Sequence, residues 1–296
     1  MTSVTNTANL ATAAIVTRNA PKTRPRVTRM KLRALPGYVF LSIWTVFSLF
    51  PLYFMVVSAT NTSRDVLSSS LLPGGELVNN ITKLFASQDV FGAMWLSFAI
   101  AVGTTVLALF LCSIAGYGFE VFHSKGKDIV MGVLLLAMMI PFAATMIPLF
   151  QLFAKVGMIN SLWAVIIPAI STPFLILLFR QSSRSFPHEI IEAARIDGLS
   201  EFAIYRRIYI PTMKATFAAA GVITFMAAWN NFLWPKVILV SNEVFTMPML
   251  IANLGAGYVV DYGVLMLGVL LASLPTMIVF FVLQKQFAAG MTGAIK

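Results

Sequence analysis

The stretch PHEIIEAARIDGLSEFAIYRRIYIP, residues 187–211, decides how this chain is read. It lies in the longest charged segment between hydrophobic runs, from Arg180 to Lys214. That segment sets Arg180, Arg184, Arg195, Arg206, Arg207 and Lys214 against Glu189, Glu192, Asp197 and Glu201, ten charges in a chain that is only 11% charged. Pro187 suits a helix start because its φ is fixed near the helical value. Glu189 and Glu192 follow in the first turns, where negative charge complements the helix dipole. Ile190, Ala193, Ala194 and Ile196 can form a small apolar face, and Glu192 lies one turn from both Arg195 and Ile196. Gly198 fits the left-handed position that ends many helices. A second short helix through Phe202, Tyr205, Arg206 and Tyr209, stopped before Pro211, completes a helix–turn–helix with small residues at its tip. Small residues let the backbone of another protein approach closely. The alternative for the same residues is a solvated loop of ordinary amphipathic helices.

Outward from this loop the chain is apolar. Of 296 residues 58% are hydrophobic, with a mean hydropathy of +0.85. That composition belongs to an all-α polytopic membrane protein rather than to a soluble domain. Hydrophobic stretches of spanning length fall at about 37–59, 93–119, 129–152, 161–181, 215–235 and 262–284, six in all. Six spans put both termini on one side, and the basic residues fix which. Seventeen of the twenty-one Lys and Arg lie on the side of the termini and the Glu192 loop; only Arg64, Lys83, Lys155 and Lys236 lie opposite. Positive charge is retained inside, so the termini and the loop are expected to be cytoplasmic. The formal net charge of +10 is explained by this bias and gives no case for nucleic acid.

Residues 1–35 are polar, then basic and free of acid, and are expected to form a mostly disordered cytoplasmic tail. The apolar run behind them is too long for a signal peptide, so the first span is expected to be retained. The six-span domain is placed at 36–285, with the charged loop at 182–212 and a short cytoplasmic tail at 286–296. The segment 60–92 is long enough for an external cap with a short helix around 79–88; a soluble partner outside would land there or on 236–261. Pro51, Pro141, Pro148, Pro168, Pro173 and Pro275 lie inside spans, and Pro141 with Pro148 predicts an irregular, bent helix. The turn from Phe122 to Asp128 needs no role beyond topology.

The run Trp229-Asn230-Asn231-Phe232-Leu233-Trp234-Pro235 carries two amides at the end of a span, where they need partners. Trp229 and Trp234 can be interface anchors. Alternatively the cluster suits a sugar, with aromatic faces on pyranose C–H groups and amides reading hydroxyls.

Several chemistries are missing. There is no GxxxxGK[ST] phosphate loop. Asp and Glu avoid span centres, which argues against a carrier driven by protons or sodium. Cys112 is the sole cysteine, so no intrachain disulfide or thiolate metal site is expected. His123 and His188 are far apart and flank spans, so neither a metal site nor a catalytic triad can be assembled.

The order EAA, Asp197-Gly198, Ser200, Tyr205, Ile208 and Ile210-Pro211 resembles the EAA loop of ABC importer permeases. The Trp229–Pro235 run, Met139-Ile140-Pro141 through Gly157-Met158-Ile159-Asn160-Ser161, and the ending Gly290-Met291-Thr292-Gly293-Ala294-Ile295-Lys296 resemble the carbohydrate subgroup, in particular the maltose-type G subunit. The resemblance covers about 37–296. It implies a type I ABC importer permease fold in a bacterial inner membrane, with a coupling helix near 188–197. It further implies a non-catalytic chain that pairs with a second homologous permease, two ATP-binding subunits and an extracytoplasmic sugar-binding protein, all within membrane lipid. ATP and Mg would be held by the partner ATPase subunits and no cofactor by this chain. Glu192, Ala193, Ala194, Arg195, Asp197 and Gly198 would then couple to the ATPase: Glu192 by an ion pair, the alanines by packing in a cleft, Gly198 by permitting the turn. Trp229, Asn230, Asn231 and Trp234 would line the substrate path. Leu199 departs from the alanine common in the family. The competing class is a secondary transporter or channel acting alone, which explains the spans but not the Glu192 segment.

Overall fold

The computed structural model describes the backbone of residues 27–241 and 245–293 and the side chains of 35–241 and 245–284. Every regular element among them is helical. The chain divides into two compact units, 1–53 and 54–296. Helix α1 (Val27–Ser58) begins inside the segment expected to be an unstructured tail, and the basic residues up to position 26 lie outside the described residues. Its apolar part, Leu35–Ser58, is long enough to cross a membrane. From Leu35 to Phe50 its large apolar side chains are exposed.

In the second unit two short helices come first, α2 (Ser63–Leu67) and α3 (Leu77–Ser87). The long α4 (Val90–Val121) follows, then α5 (Lys125–Ala137), α6 (Phe142–Lys155), α7 (Leu162–Ile166) and α8 (Pro173–Arg184). The charged loop holds α9 (His188–Ile196), α10 (Glu201–Ile204) and α11 (Ile210–Thr212). The chain ends with α12 (Lys214–Trp229), α13 (Leu233–Ile238), α14 (Met247–Gly255) and α15 (Tyr262–Gly293).

Among the described residues four segments are long and apolar enough to cross a membrane, and the count reaches the expected six when each of two bent helix pairs is taken as one span. The four are Leu35–Ser58, Val90–Val121, Lys214–Ile238, which includes the short break between α12 and α13, and Tyr262–Gln284. The pair α5–α6 bends by 99°, and α7 with its short 3₁₀ extension to Ala169 meets α8 at 45°. Both breaks have a local cause. Pro141 lies extended at φ −60, ψ 133, ahead of α6. Thr172, preceding Pro173, lies at φ −105, ψ 131, because a residue before proline is excluded from the helical region. Pro51, Pro148 and Pro275 stay inside their helices.

Asp89 caps α4, its carboxylate accepting from the Gly92 N–H at 2.9 Å. This helix is the centre of the unit, packed along α8 and α12, and α12 in turn lies on α15. Gly116 allows the α4–α8 approach: a Cβ there would stand 2.5 Å from the Phe179 Cβ and 2.8 Å from the Arg180 backbone nitrogen. At the other end of α4, the expected short helix is α3. The Asn80 amide donates to the carbonyls of Ala59 and Asn61 at 3.0 and 3.1 Å. Asp261 fastens this cap to the start of α15: it accepts from Ser63 Oγ at 2.9 Å and Lys83 Nζ at 3.1 Å. Helical backbone runs on past the last span, through the expected tail, to Gly293; the final residues 294–296 lie outside the described residues.

Candidate functional site

Helix α9 buries one side and offers the other. Ile191 and Ala194, three apart, point inward and are nearly inaccessible. Glu189, Ile190, Glu192, Ala193, Ile196 and Asp197 are exposed, and Ile196 is 87% exposed despite its apolar side chain. The apolar set expected on one face is therefore split. Ala194 belongs to the internal contact with Ile191, Ile204 and Tyr209, so it is unavailable for packing in a partner's cleft.

Gly198 ends α9 as expected, at φ +80. Its N–H bonds to the Arg195 carbonyl at 3.0 Å and the Leu199 N–H to the Ala194 carbonyl at 3.0 Å. This pair of bonds is a Schellman closure, whose usual companion is an apolar contact from the residue after the glycine. Leu199 supplies it by packing on the cluster around Ala194. The leucine at this position thus has an internal job. Ser200 then caps α10, its hydroxyl accepting from the Ala203 N–H at 3.3 Å.

The second short helix does not stop before Pro211. Residues Tyr205–Tyr209 form a π-turn in which the Ile210 N–H reaches back five residues to the Tyr205 carbonyl. Helical geometry then continues through Pro211 into α11. The wider turn absorbs the donor that proline lacks.

Three tyrosines seat the loop on the spans. Tyr117, near the end of α4, packs edge-on against Tyr205 and Tyr209 with centroids 5.5 and 4.8 Å away. The Tyr205 hydroxyl pairs with Ser113 Oγ at 2.6 Å and the Tyr209 hydroxyl with Ser183 Oγ at 2.8 Å. Burial pushes the Tyr209 phenol up to about 12, so it stays neutral and anchors by packing and its one hydrogen bond.

Glu192 forms no ion pair with Arg195. Arg195 Nε donates instead to Glu201 Oε1 at 2.7 Å. That bond, followed by the weaker charges of Glu201, Tyr117 and Glu192, outweighs desolvation and raises the Arg195 guanidinium above its ordinary value. Glu192 keeps its carboxylate free of ion pairs among the described residues. Beside the loop, Arg180 is buried and donates to Glu120 at 3.3 Å and to Asp128, while Arg184 shares Glu120 at 3.3 Å. Two carboxylates from different helices meet the cost of this buried cation. Sequence reading missed both networks: Glu201 meets Arg195 only because the turn at Gly198 folds α10 back, and Arg180 and Arg184 find their partners on separate helices.

The Trp229–Pro235 run falls at the break between α12 and α13. Trp229 is 2% exposed, stacks on Phe225 and donates its indole N–H to the Ala272 carbonyl at 3.0 Å. Trp234 is 1% exposed, lies against Phe142 and Phe153 and donates to the Ala164 carbonyl at 2.9 Å. Both rings are spent inside this chain, so neither presents a face to a sugar; the expectation that they line a path is corrected. Asn230 is exposed with Nδ2 on the Met226 carbonyl at 2.8 Å, and Asn231 is half-buried. Of the four residues expected to line a path, these two amides are the ones whose side chains stay accessible. Among the described residues no group of His, Cys, Asp and Glu could hold a metal.

Residues 109–293 match the family model described as binding-protein-dependent transport system inner membrane component. The chain is 44% identical over 268 residues to the lactose transport system permease protein LacG of Rhizobium radiobacter, covering 90% of this chain and 98% of that one. It is 35% identical over 265 residues to the arabinooligosaccharides transport system permease protein AraQ of Bacillus subtilis, covering 87% and 94%. In fold it is similar to a chain of the bacterial ABC transporter involved in the import of the acidic polysaccharide alginate, with a TM-score of 0.76 at 20% identity, over 89% of this chain and 100% of that one.

Proposed function

This chain belongs to the family of binding-protein-dependent transport system inner membrane components, a permease of ABC importers, and on that footing we propose that it imports a sugar and takes its drive from ATPase subunits docked on α9. The observation that carries the docking is the exposed side of α9: a Schellman-closed helix whose buried side is anchored and whose outward side joins Ile190, Ala193 and an 87% exposed Ile196 to the carboxylates of Glu189 and Glu192. An apolar patch rimmed by acid suits a cleft with apolar walls and a basic edge. Glu192, free of internal pairing, is the group for that basic edge; Gly198 and Asp197 shape the end of the helix, and Arg195 fastens it from behind. ATP and Mg sit on the partner. The loop and both termini lie on the cytoplasmic side, and the 59–89 cap faces the sugar-binding protein. The sugar class is supported by the names of LacG and AraQ, and Asn230 and Asn231 are the amides that would read hydroxyls. The attachment of the loop supports alternating access: motion of the ATPase pair is passed through α9 to α4 and α8, on which its loop is seated.

The test is an affinity pull-down of this chain from detergent-solubilised native membranes, beside the same pull-down of Ile196→Asp. The expected result is recovery of a second permease and an ATPase, with the ATPase lost from Ile196→Asp and the permease retained. Recovery of this chain alone, able to transport in liposomes, would assign it to the self-sufficient carriers.

A further inference from the structure

Two polar atoms near the end of α4 are enclosed without a hydrogen bond. Tyr117 is 4% exposed and its hydroxyl has no partner among the described residues. Glu201 Oε2 is likewise enclosed and unbonded, while Oε1 of the same carboxylate accepts from Arg195. The hydroxyl lies within electrostatic reach of both Glu201 and Arg195. A phenol offers a donor and a carboxylate oxygen an acceptor, so the two unbonded atoms are complementary. Leaving either enclosed and unpaired is costly, and a change that brings them together recovers that cost.

Around them the short turn after α4 closes the group. The Arg195 guanidinium lies over the Phe122 ring at 5.9 Å, and the Tyr117 ring meets Phe122 edge-on at 6.4 Å. Lys127 covers the same ring at 5.3 Å and donates to the Gly118 and Phe122 carbonyls at 3.1 and 2.6 Å. The turn expected to serve only topology is therefore the floor beneath Arg195.

We propose that Tyr117 is a positioning residue for energy coupling: its hydroxyl donates to Glu201 Oε2 when a partner loads the loop, completing a Tyr117–Glu201–Arg195 chain that fixes the angle of α9 to α4. The physical need is plain. Ile191 and Ala194 hold α9 by apolar contact, which is non-directional and permits rocking. A charge-assisted hydrogen bond is directional and resists it. In the unloaded arrangement the bond is open, so the loop can yield; closed, it passes motion to the span without slack. This inference rests on the docking reading of α9.

The experiment uses the whole complex, with its sugar-binding protein, in proteoliposomes, and reads the ATPase rate that the loaded binding protein stimulates. Tyr117→Phe keeps the ring and removes only the donor. Glu201→Gln sets an N–H₂ where one of two acceptors stood, on a half-exposed residue whose replacement leaves the core intact. Each single variant is expected to lower the stimulated rate by at least about tenfold, and the double variant to fall no further than Glu201→Gln alone, because that change already breaks the chain in which the Tyr117 donor acts. The ATPase should still be recovered with each tagged variant. Wild-type stimulation in either single variant, or single effects that multiply in the double, would overturn the chain of hydrogen bonds while leaving docking standing. Absence of the ATPase from the wild-type pull-down would instead overturn the docking reading, and this inference with it.

Discussion

Gly198 shows what one residue decides. Its φ of +80 is a conformation that side chains resist, yet a Cβ placed there meets nothing within 4 Å. The requirement is for backbone freedom, not space. An L-residue other than asparagine or aspartate costs about 1–2 kcal/mol in this region. Gly198→Ala is therefore expected to speed amide exchange at Leu199, whose N–H closes the helix on Ala194, by about tenfold. Gly198→Asn should speed it clearly less, since asparagine tolerates the left-handed region. Equal acceleration would mean that crowding, not φ, governs the position. The glycine was legible in the sequence because a helix end is a local event. Ala194 was not: whether an alanine on an amphipathic helix faces inward depends on Tyr209 and Ile204, which its neighbours in sequence do not reveal.

At the scale of elements, prolines give the clearest measure of what the sequence discloses. Their presence in spans announced bends, and Pro141 and Pro173 do mark the 99° and 45° breaks. Pro51, Pro148 and Pro275 look no different on paper but remain within helices, and Pro211 is absorbed by a π-turn. Which outcome follows depends on whether neighbouring helices satisfy the freed carbonyls, a tertiary matter. The cap formed by α2 and α3 is similar: its helix was legible, its fastening was not. Burial by itself would raise the Asp261 carboxyl, but the bonds from Lys83, Ser63 and the Val264 N–H outweigh it and hold Asp261 below the usual carboxylate range. A lowered value in the folded state means the fastening contributes fully above the ordinary aspartate value of about 3.9 and is lost as pH falls below it. Proteolysis of the 59–89 segment is thus expected to be slow from neutral pH down to about 4 and to accelerate below that. Asp261→Asn should be cleaved faster already at neutral pH, with a flat profile over the same range. A wild-type profile without that rise would show that the cap is held by Asn80 and packing alone.

For the molecule as a whole, the two tryptophans separate what composition can say from what it cannot. The expectation of six spans comes from apolar runs, because membrane thickness sets a length that any stretch either meets or fails; four meet it as they stand and two more do so as bent pairs. Tryptophan carries no such single meaning: belts, cores and sugar sites all employ it. Here Trp229 joins α12 to α15 through Ala272, and Trp234 joins α13 to α7 through Ala164, so each indole ties parts of the chain far apart in sequence. They act as fasteners of the permease unit, while the exposed Asn230 beside them is proposed to meet solute through its Oδ1. These roles predict opposite responses. Trp234→Phe deletes the indole donor and part of a filled core, and should cost about 1–3 kcal/mol of stability, read as a lower melting temperature in detergent. The apparent KM for sugar uptake by the surviving protein should stay at the wild-type value. Asn230→Ala should leave melting unchanged and raise that KM, because it removes an amide without disturbing packing. A raised KM in Trp234→Phe with unchanged melting would place the indole in the translocation path, which its burial between Phe142 and Phe153 opposes.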